Sequence, residues 1–439
     1  MTIRMDEGAA ELLDTLHRAG YAAYVVGGCV RDSLLGLTPH DWDLCTSALP
    51  QQVMELFGAQ RCIPTGLQHG TVTVKQSGAL YEITTFRTEG TYTDGRHPDE
   101  VHFVPDVRED LARRDLTINA MAYNEKEGLV DPFGGQADLQ SGIVRAVGVP
   151  RQRFTEDALR ILRLYRFAAR FGFAIDPPTA QAAQELCAHL DCVSVERIEE
   201  ELAKLLSAPA PAAYLNEKIL SVVLPELSPE ALAAAKPVVD ACPAGAENLP
   251  IRLAALLLSL GEDGIRRTLK RLRCSNALIE EAAVLVREAR GCDGSFLFGH
   301  DSGHSIASPS AFGNRVPPQR TVLRETTVTP GFTIYARRLL GKYNLCTVQR
   351  IAALGTALQP ERAADFAALS ELAEQLDADG VCCRVSQLAV NGRDLMAAGV
   401  PAGPGIRKVL EALLDGVIRE EYPNERQALL AAVQQLAAS

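Results

Sequence analysis

Between Tyr24 and Thr46 the chain reads YVVGGCVRDSLLGLTPHDWDLCT. An apolar run meets a glycine pair, then a short helix-like stretch, then two aspartates one residue apart. The run reads as a buried strand. Gly27 and Gly28 let a triphosphate approach the backbone closely, and the helix that follows points its first amides at anions. Read on a strand, Asp41 and Asp43 stand at i and i+2 and face the same side. Two like charges at that spacing repel unless a cation sits between them. Hard oxygen donors suit Mg²⁺, which is held by one or two carboxylates plus substrate phosphates. Arg31 adds a charged fork for phosphate. A strand-edge aspartate pair beside a turn glycine is the other reading open at this point.

The remaining chain limits where such a site can sit. With 439 residues it exceeds a single core, so two or more domains are expected. No apolar run approaches the ~20 residues of a membrane span, and the acidic, amphipathic start does not read as a signal peptide. Eleven cysteines without close metal-type pairing point to reduced thiols in a cytoplasm. The net charge of −11 means that any nucleic-acid site must be a local basic patch. Residues 151–170 supply one, with six arginines against two acids.

Strand and short-helix patterns fill residues 1–149. A helix is expected over 5–19, stopped by Gly20, and a hairpin over 70–87 with its turn near Gly78. Helical patterns follow over 150–206 and 207–290. Residues 291–335 are rich in Gly, Ser and Pro and read as a loop or insertion. Helices resume over 336–439, interrupted by GVPAGPG. His300 and His304, with only Asp301 between them, read as loop polarity rather than as metal ligands.

Three further motifs follow in order. ARRDLTINAMAYN places Arg113 and Arg114 before Asp115 and an expected amphipathic helix. DPFGGQADLQSGIVRAVG reads as an Asp-Pro turn, a glycine pair and a strand. EDALRILRLYR places Asp157 and Arg160 three apart, on one helical face. An Asp accepts and an Arg donates. With the Gly-Gly and Asp-x-Asp motifs, these elements resemble class II tRNA nucleotidyltransferases, the CCA-adding enzymes and their poly(A) polymerase relatives. Under that resemblance the Asp157 and Arg160 pair matches the amino group and ring nitrogen shared by cytosine and adenine, and mismatches uracil and guanine.

The resemblance implies an α+β fold: a nucleotidyltransferase (polymerase beta-like) head, then an all-α neck, body and tail. It implies Asp41 and Asp43 as Mg²⁺ ligands, with Glu82 as a third catalytic carboxylate. It implies Gly27, Gly28, Arg31, Arg114, Asp157, Arg160, Arg163 and Arg166 as nucleotide contacts. Residues 87–103 resemble the family's flexible loop, with Asp94 and Arg96 as its lever, and its presence favours addition of the terminal A. The implied partners are tRNA, ATP and CTP, with no obligate protein partner, and the tail would grip the tRNA elbow through Gly403, Gly405 and Arg407. CCA addition, A addition alone and poly(A) synthesis share all the head motifs. The run RLAALLLSLGED carries Leu258 and Ser259 where some relatives have a His-Asp dyad, which argues against a metal phosphohydrolase.

Overall fold

The computed structural model describes residues 3–90, 101–291 and 330–438. The chain divides into two compact units. One comprises residues 1–240, 244–249 and 267–275, and the other the remainder.

The first unit begins with α1 (Glu7–Arg18), whose Leu12, Leu13 and Leu16 are buried at helical spacing. Its first turn is capped by Asp6, and Gly20 follows with φ +87°. Strand β1 (Ala23–Val26) is buried at every residue and leads through Gly27 into α2 (Gly28–Leu34). Next come β2 (Leu44–Thr46), α3 (Pro50–Phe57), β3 (Cys62–Gly66), β4 (Thr71–Gln76) and β5 (Ala79–Thr85). Ser77 and Gly78 join β4 to β5, both with positive φ, the backbone of a two-residue primed hairpin turn. A second hairpin pairs β6 (Arg87–Glu89) with β7 (Val101–Phe103), and α4 (Val107–Ala112) follows. With β8 (Ala122–Asn124) and β9 (Gly128–Val130), the main sheet runs β3-β4-β5-β2-β1-β8-β9. Only β2 and β5 run parallel; every other neighbouring pair in this sheet is antiparallel.

Two expectations need correction here. The amphipathic helix after Asp115 is instead a short 3₁₀ turn, Thr117–Asn119, followed by β8. Its apolar residues are buried on all sides because β8 lies inside the sheet, between β1 and β9. The DPFGG motif leads into a helix, α5 (Gly135–Ser141), before the short strand Ile143–Val144. The Asp131 carboxylate accepts from the Gly135 and Gln136 amides and so starts that helix.

The neck helices α6 (Pro150–Glu156), α7 (Leu159–Phe171), α8 (Pro177–Glu185) and α9 (Val195–Leu206) belong to the same unit as the sheet. Helix α9 buries Ile198, Leu202, Leu205 and Leu206 along one face. Each such side chain contributes roughly 1.5–3 kcal/mol. Helix α7 ends at Gly172, φ +68°.

The second unit is helical. Its longer helices are Asn276–Gly291, Pro330–Lys342, Leu345–Leu358, Ala363–Ala378, Pro404–Ile418 and Arg426–Ala438. Residues 330–335 are therefore helical rather than loop, a correction at the end of the 291–335 segment. Residues 292–329, with His300, Asp301 and His304, lie outside the described residues, as do Asp94 and Arg96. A separate apolar cluster forms around Leu395, Leu413, Leu429 and Val433. Among the described residues no helix is long and apolar enough to cross a membrane.

Candidate active site

Gly27 turns the chain from β1 into α2 with φ +79°, a conformation that favours glycine. A Cβ there would lie 3.0 Å from Arg114 Nη1, so the Arg114 guanidinium is pressed against the turn. A Cβ at Gly28 would lie 3.7 Å from Arg31 Nη2. The two glycines thus separate the turn's outer face from two guanidinium groups.

Arg31 does not reach out as a free fork. It is 4 % exposed. Its Nε donates to Asp32 Oδ1 (2.8 Å) and its Nη1 to Asn119 Oδ1 (2.5 Å). Its guanidinium carbon lies 5.0 and 5.1 Å from the centroids of Phe167 and Phe171. Burial pulls its pKa down from the usual arginine value. Its charge can act on a ligand at Gly28 only from behind the turn.

Asp41 and Asp43 lie in the extended segment before β2 rather than inside a strand. The Val26 amide donates to the Asp43 carbonyl (2.9 Å), so the β1 pairing continues one residue beyond β2 and fixes Asp43 beside Gly27. The Asp43 pKa is raised, first by the protein mass crowding it, then by the charge of Glu82; Arg114 opposes this and Asp41 adds to it. Asp43 nonetheless has an exposed surface. Glu82 projects from β5, opposite Thr73, and is exposed. Among the described residues no hydrogen bond or ion pair engages the carboxylates of Asp41, Asp43 or Glu82, and no three acidic, His or Cys side chains form a metal-binding cluster. The donor set is therefore the aspartate pair, with Glu82 acting as a neighbouring charge. Hard-oxygen carboxylates without a partner among the described residues, with Glu82 and Asp41 adding to the raised pKa of Asp43, fit a divalent cation such as Mg²⁺.

The neck residues differ from their expected arrangement. Asp157 and Arg160 are not on one helical face, because the helix breaks between Glu156 and Leu159. Asp157 is extended at the break. Its Oδ1 accepts from the Leu159 amide (3.0 Å), and its Oδ2 accepts from Arg197 Nη2 (2.7 Å). A side-chain oxygen that caps α7 competes with continuing α6. Arg160 donates to Glu156 Oε2 (2.8 Å) and to the Arg113 carbonyl (3.1 Å). Arg163 pairs with Asp115 (2.6 Å), and Arg166 with Glu201 (3.1 Å). Arg166 also lies 4.0 Å from the Phe167 ring, and burial pushes its pKa down to about 10.

These contacts join head to neck. Arg170 Nη2 donates to Asp32, Arg31 links Asp32 to Asn119, and Asn119 Nδ2 donates to Asp115. Asp115 then binds Arg163, which lies 3.8 Å from Glu201. Burial opposes the charge on Asp115, but Arg163 outweighs it and holds the carboxyl well below the usual range. The sequence reading missed Asn119, Arg197 and Glu201. The four-residue spacing of Arg197 and Glu201 on α9 is a signal that one face carries both.

A groove of about 660 Å³ opens beside this arrangement, lined among others by Thr88, Glu109, Arg113, Arg151, Arg153 and Glu156. In the second unit, Gly403 has φ +138° at the start of the Pro404–Ile418 helix, and exposed Arg407 pairs with Glu411 (2.8 Å).

Three family models match the chain: the Poly A polymerase head domain over residues 23–145, the probable RNA and SrmB-binding site of polymerase A over 172–230, and a putative tRNA nucleotidyltransferase domain 2 over 332–433. The CCA-adding enzyme of Levilactobacillus brevis is 36% identical over 433 residues, covering 97% of each chain. That of Geobacillus stearothermophilus is 33% identical over 429 residues, covering 96% of this chain and 95% of its own. The crystal structure of the Bacillus stearothermophilus CCA-adding enzyme in complex with CTP superposes with a TM-score of 0.77 at 30% identity, covering 99% of this chain and 98% of that one. The Thermotoga maritima CCA-adding enzyme complexed with tRNA shares the fold, with a TM-score of 0.66 at 20% identity over 99% and 97% of the two chains. A glycine turn backed by arginines, an unpaired aspartate pair and a charged neck thus occur in a chain alike over its whole length to these enzymes, and the chain belongs to the CCA-adding enzyme family of nucleotidyltransferases.

Proposed function

We propose that this protein adds CMP, CMP and AMP stepwise to the 3′ end of tRNA, from CTP and ATP, releasing pyrophosphate at each step. The observation that carries the site assignment is the Gly27 turn, with Arg114 Nη1 pressed against it and the Asp43 backbone fixed beside it by the Val26 amide. The triphosphate lies along the Gly27-Gly28 turn. Arg114 neutralises it directly, and Arg31 contributes charge from beneath.

Asp41 and Asp43 would hold Mg²⁺. When bound, such an ion activates the primer hydroxyl and offsets charge on the leaving pyrophosphate. Glu82 adds negative charge on the same side and so strengthens the pair's demand for a cation. The transfer itself asks little covalent work of the protein, and positioning and charge dominate.

Asp157 and Arg160 read the base edge. Asp157 is tied to Arg197, and Arg160 to Glu156 and the Arg113 carbonyl. An incoming cytosine or adenine replaces some of these contacts and offers a donor to Asp157 and an acceptor to Arg160. Uracil and guanine offer the reverse and leave charged groups unpaired, which makes such selection strong. Arg163 and Arg166 set the charge behind this edge through Asp115 and Glu201. A cytoplasmic setting fits the ten described cysteines, all free.

The test uses three tRNA substrates, ending at the discriminator base, at C and at CC, with Mg²⁺ and all four nucleoside triphosphates. Addition of CCA to the first, followed by a stop, supports the proposal. Extension of only the CC-ended substrate would make the protein an A-adding enzyme, and a long A tract would make it a poly(A) polymerase.

A further inference from the structure

Asp110 has no surface at all, 0 % exposed, yet it carries four donors. Arg113 Nε (3.0 Å), Arg113 Nη2 (2.8 Å) and the Arg87 amide (3.3 Å) all donate to Oδ1. Arg114 Nη2 donates to Oδ2 (3.3 Å). Burial opposes its charge, but Arg113 and Arg114 prevail and hold the carboxyl below the usual range. One carboxylate on α4 thus fixes two consecutive arginines and the start of β6.

The two arginines serve different places. Arg113 lines the groove beside α6. Arg114 points Nη1 at the Gly27 turn. Its Nε is buried without a hydrogen-bond partner among the described residues, so Asp110 is the ion-pair partner that sets its orientation. Among the described residues Asp110 is the one side-chain partner of the Arg114 guanidinium, so its removal frees that guanidinium to leave the turn.

We infer that Asp110 is a positioning residue for nucleotide binding, which holds Arg114 against the Gly27 turn. The inference rests on the reading that nucleotide phosphates lie at that turn. It concerns a residue that touches neither nucleotide nor metal ligand.

The experiment compares wild type with Asp110→Asn, first by CTP binding in the presence of Mg²⁺ without tRNA, then by steady-state CCA addition. The expected result is CTP binding weakened about 10- to 100-fold, the scale of a misplacement near 1 Å. The KM values for CTP and ATP rise together, while the KM for tRNA stays in place. A merely structural role lowers the folded fraction and so moves kcat, leaving each KM unchanged. A double-mutant cycle with Arg114→Gln isolates the route. If Asp110 acts through Arg114, the double variant binds CTP no more weakly than Arg114→Gln alone. Should Asp110→Asn not fold, Asp110→Glu moves the carboxylate by one methylene, keeps the charge, and is expected to weaken CTP binding by a smaller factor. Unchanged CTP binding in a folded variant, or independent losses in the cycle, overturns the inference. Failure of wild type to extend tRNA while CTP binding still depends on Asp110 would instead remove the reading of the activity.

Discussion

Arg197 Nη2 donates to Asp157 Oδ2 at 2.7 Å, while Arg160, three residues further on, faces Glu156 and the Arg113 carbonyl. The two residues assigned to reading the base are therefore each held by a different partner. Asp157 can still accept a second hydrogen bond from a base amino group, since a carboxylate offers about four acceptor sites. Asp157→Ala removes that acceptor and leaves the phosphate and metal groups in place. Discrimination of CTP against UTP should fall by about tenfold or more, the worth of one buried polar mismatch. Incorporation from each nucleotide, measured separately, checks this. Even loss of turnover with unchanged preference for C and A would end the templating role.

Asp43→Asn separates function from stability. The raised pKa of Asp43 means that folding opposes its ionisation. Below the unfolded pKa the group is protonated in both states and costs nothing. As pH rises through the raised folded value, a destabilising contribution appears and persists at neutral pH. Asn removes it, so the metal-free variant should melt at or slightly above the wild-type temperature at pH 7. Added Mg²⁺ should raise the wild-type Tm and leave the variant's nearly unchanged. Turnover should fall by about 10³-fold or more, several kcal/mol of lost charge stabilisation. A variant that keeps its turnover removes the metal assignment.

The elements with strong local signals were legible in the sequence. The strand pattern with a turn near Gly78 located the β4–β5 hairpin, and an amphipathic stretch stopped by Gly20 located α1. The segment after Asp115 misled because its apolar residues all go inside. Ile118, Met121 and Ala122 are wholly buried, and a run apolar on every side fits a central strand as well as a helix. At the site, residue types told which groups take part but not what they touch. Arg31 reads as a phosphate fork on charge alone. Its burial depends on Phe167 and Phe171, some 140 residues away, and on Asn119. Asp110 was overlooked although it stands three and four residues before Arg113 and Arg114, the spacing at which helical side chains meet. The break at Asp157 turns on a capping contact with the Leu159 amide, which competes with a strong helical pattern on both sides.

Asp115 is 8 % exposed and joins head to neck through Asn119 and Arg163. Asp115→Ala leaves the Arg163 charge short of its partner, which for a buried pair costs about 3–5 kcal/mol. Urea unfolding at pH 7 should show that loss. The pH dependence supplies a sharper check. The folded pKa of Asp115 is depressed, so its contribution is complete above the unfolded value of about 4. It is lost as pH falls through the folded value. The stability gap between wild type and variant should be constant from pH 5 to 8, within about 0.5 kcal/mol, and should narrow below about pH 4. A gap that persists unchanged to low pH would mean that packing, not the ion pair, is what the substitution removes.

Gly27 and Gly28 should respond differently to alanine, although they are adjacent. At Gly27 the backbone has φ +79°, and the added Cβ meets Arg114 Nη1 at 3.0 Å. With ψ −120° this positive-φ backbone is sparsely populated by L-residues and costs one about 1–3 kcal/mol, and the arginine must also give way. Gly27→Ala should lower stability and displace the cation that meets the triphosphate, raising the KM for CTP and ATP. At Gly28 the backbone is helical, and the nearest atom to a Cβ is Arg31 Nη2 at 3.7 Å, an ordinary contact. Alanine is a better helix former than glycine by about 1 kcal/mol, so Gly28→Ala should keep or slightly raise the Tm. It should still raise the nucleotide KM, because the methyl group occupies backbone that the phosphates approach. Melting curves and nucleotide KM values for the pair test this together. If Gly28→Ala binds CTP as wild type does, the phosphates do not lie along this turn, and Arg114 is neutralising something other than the triphosphate.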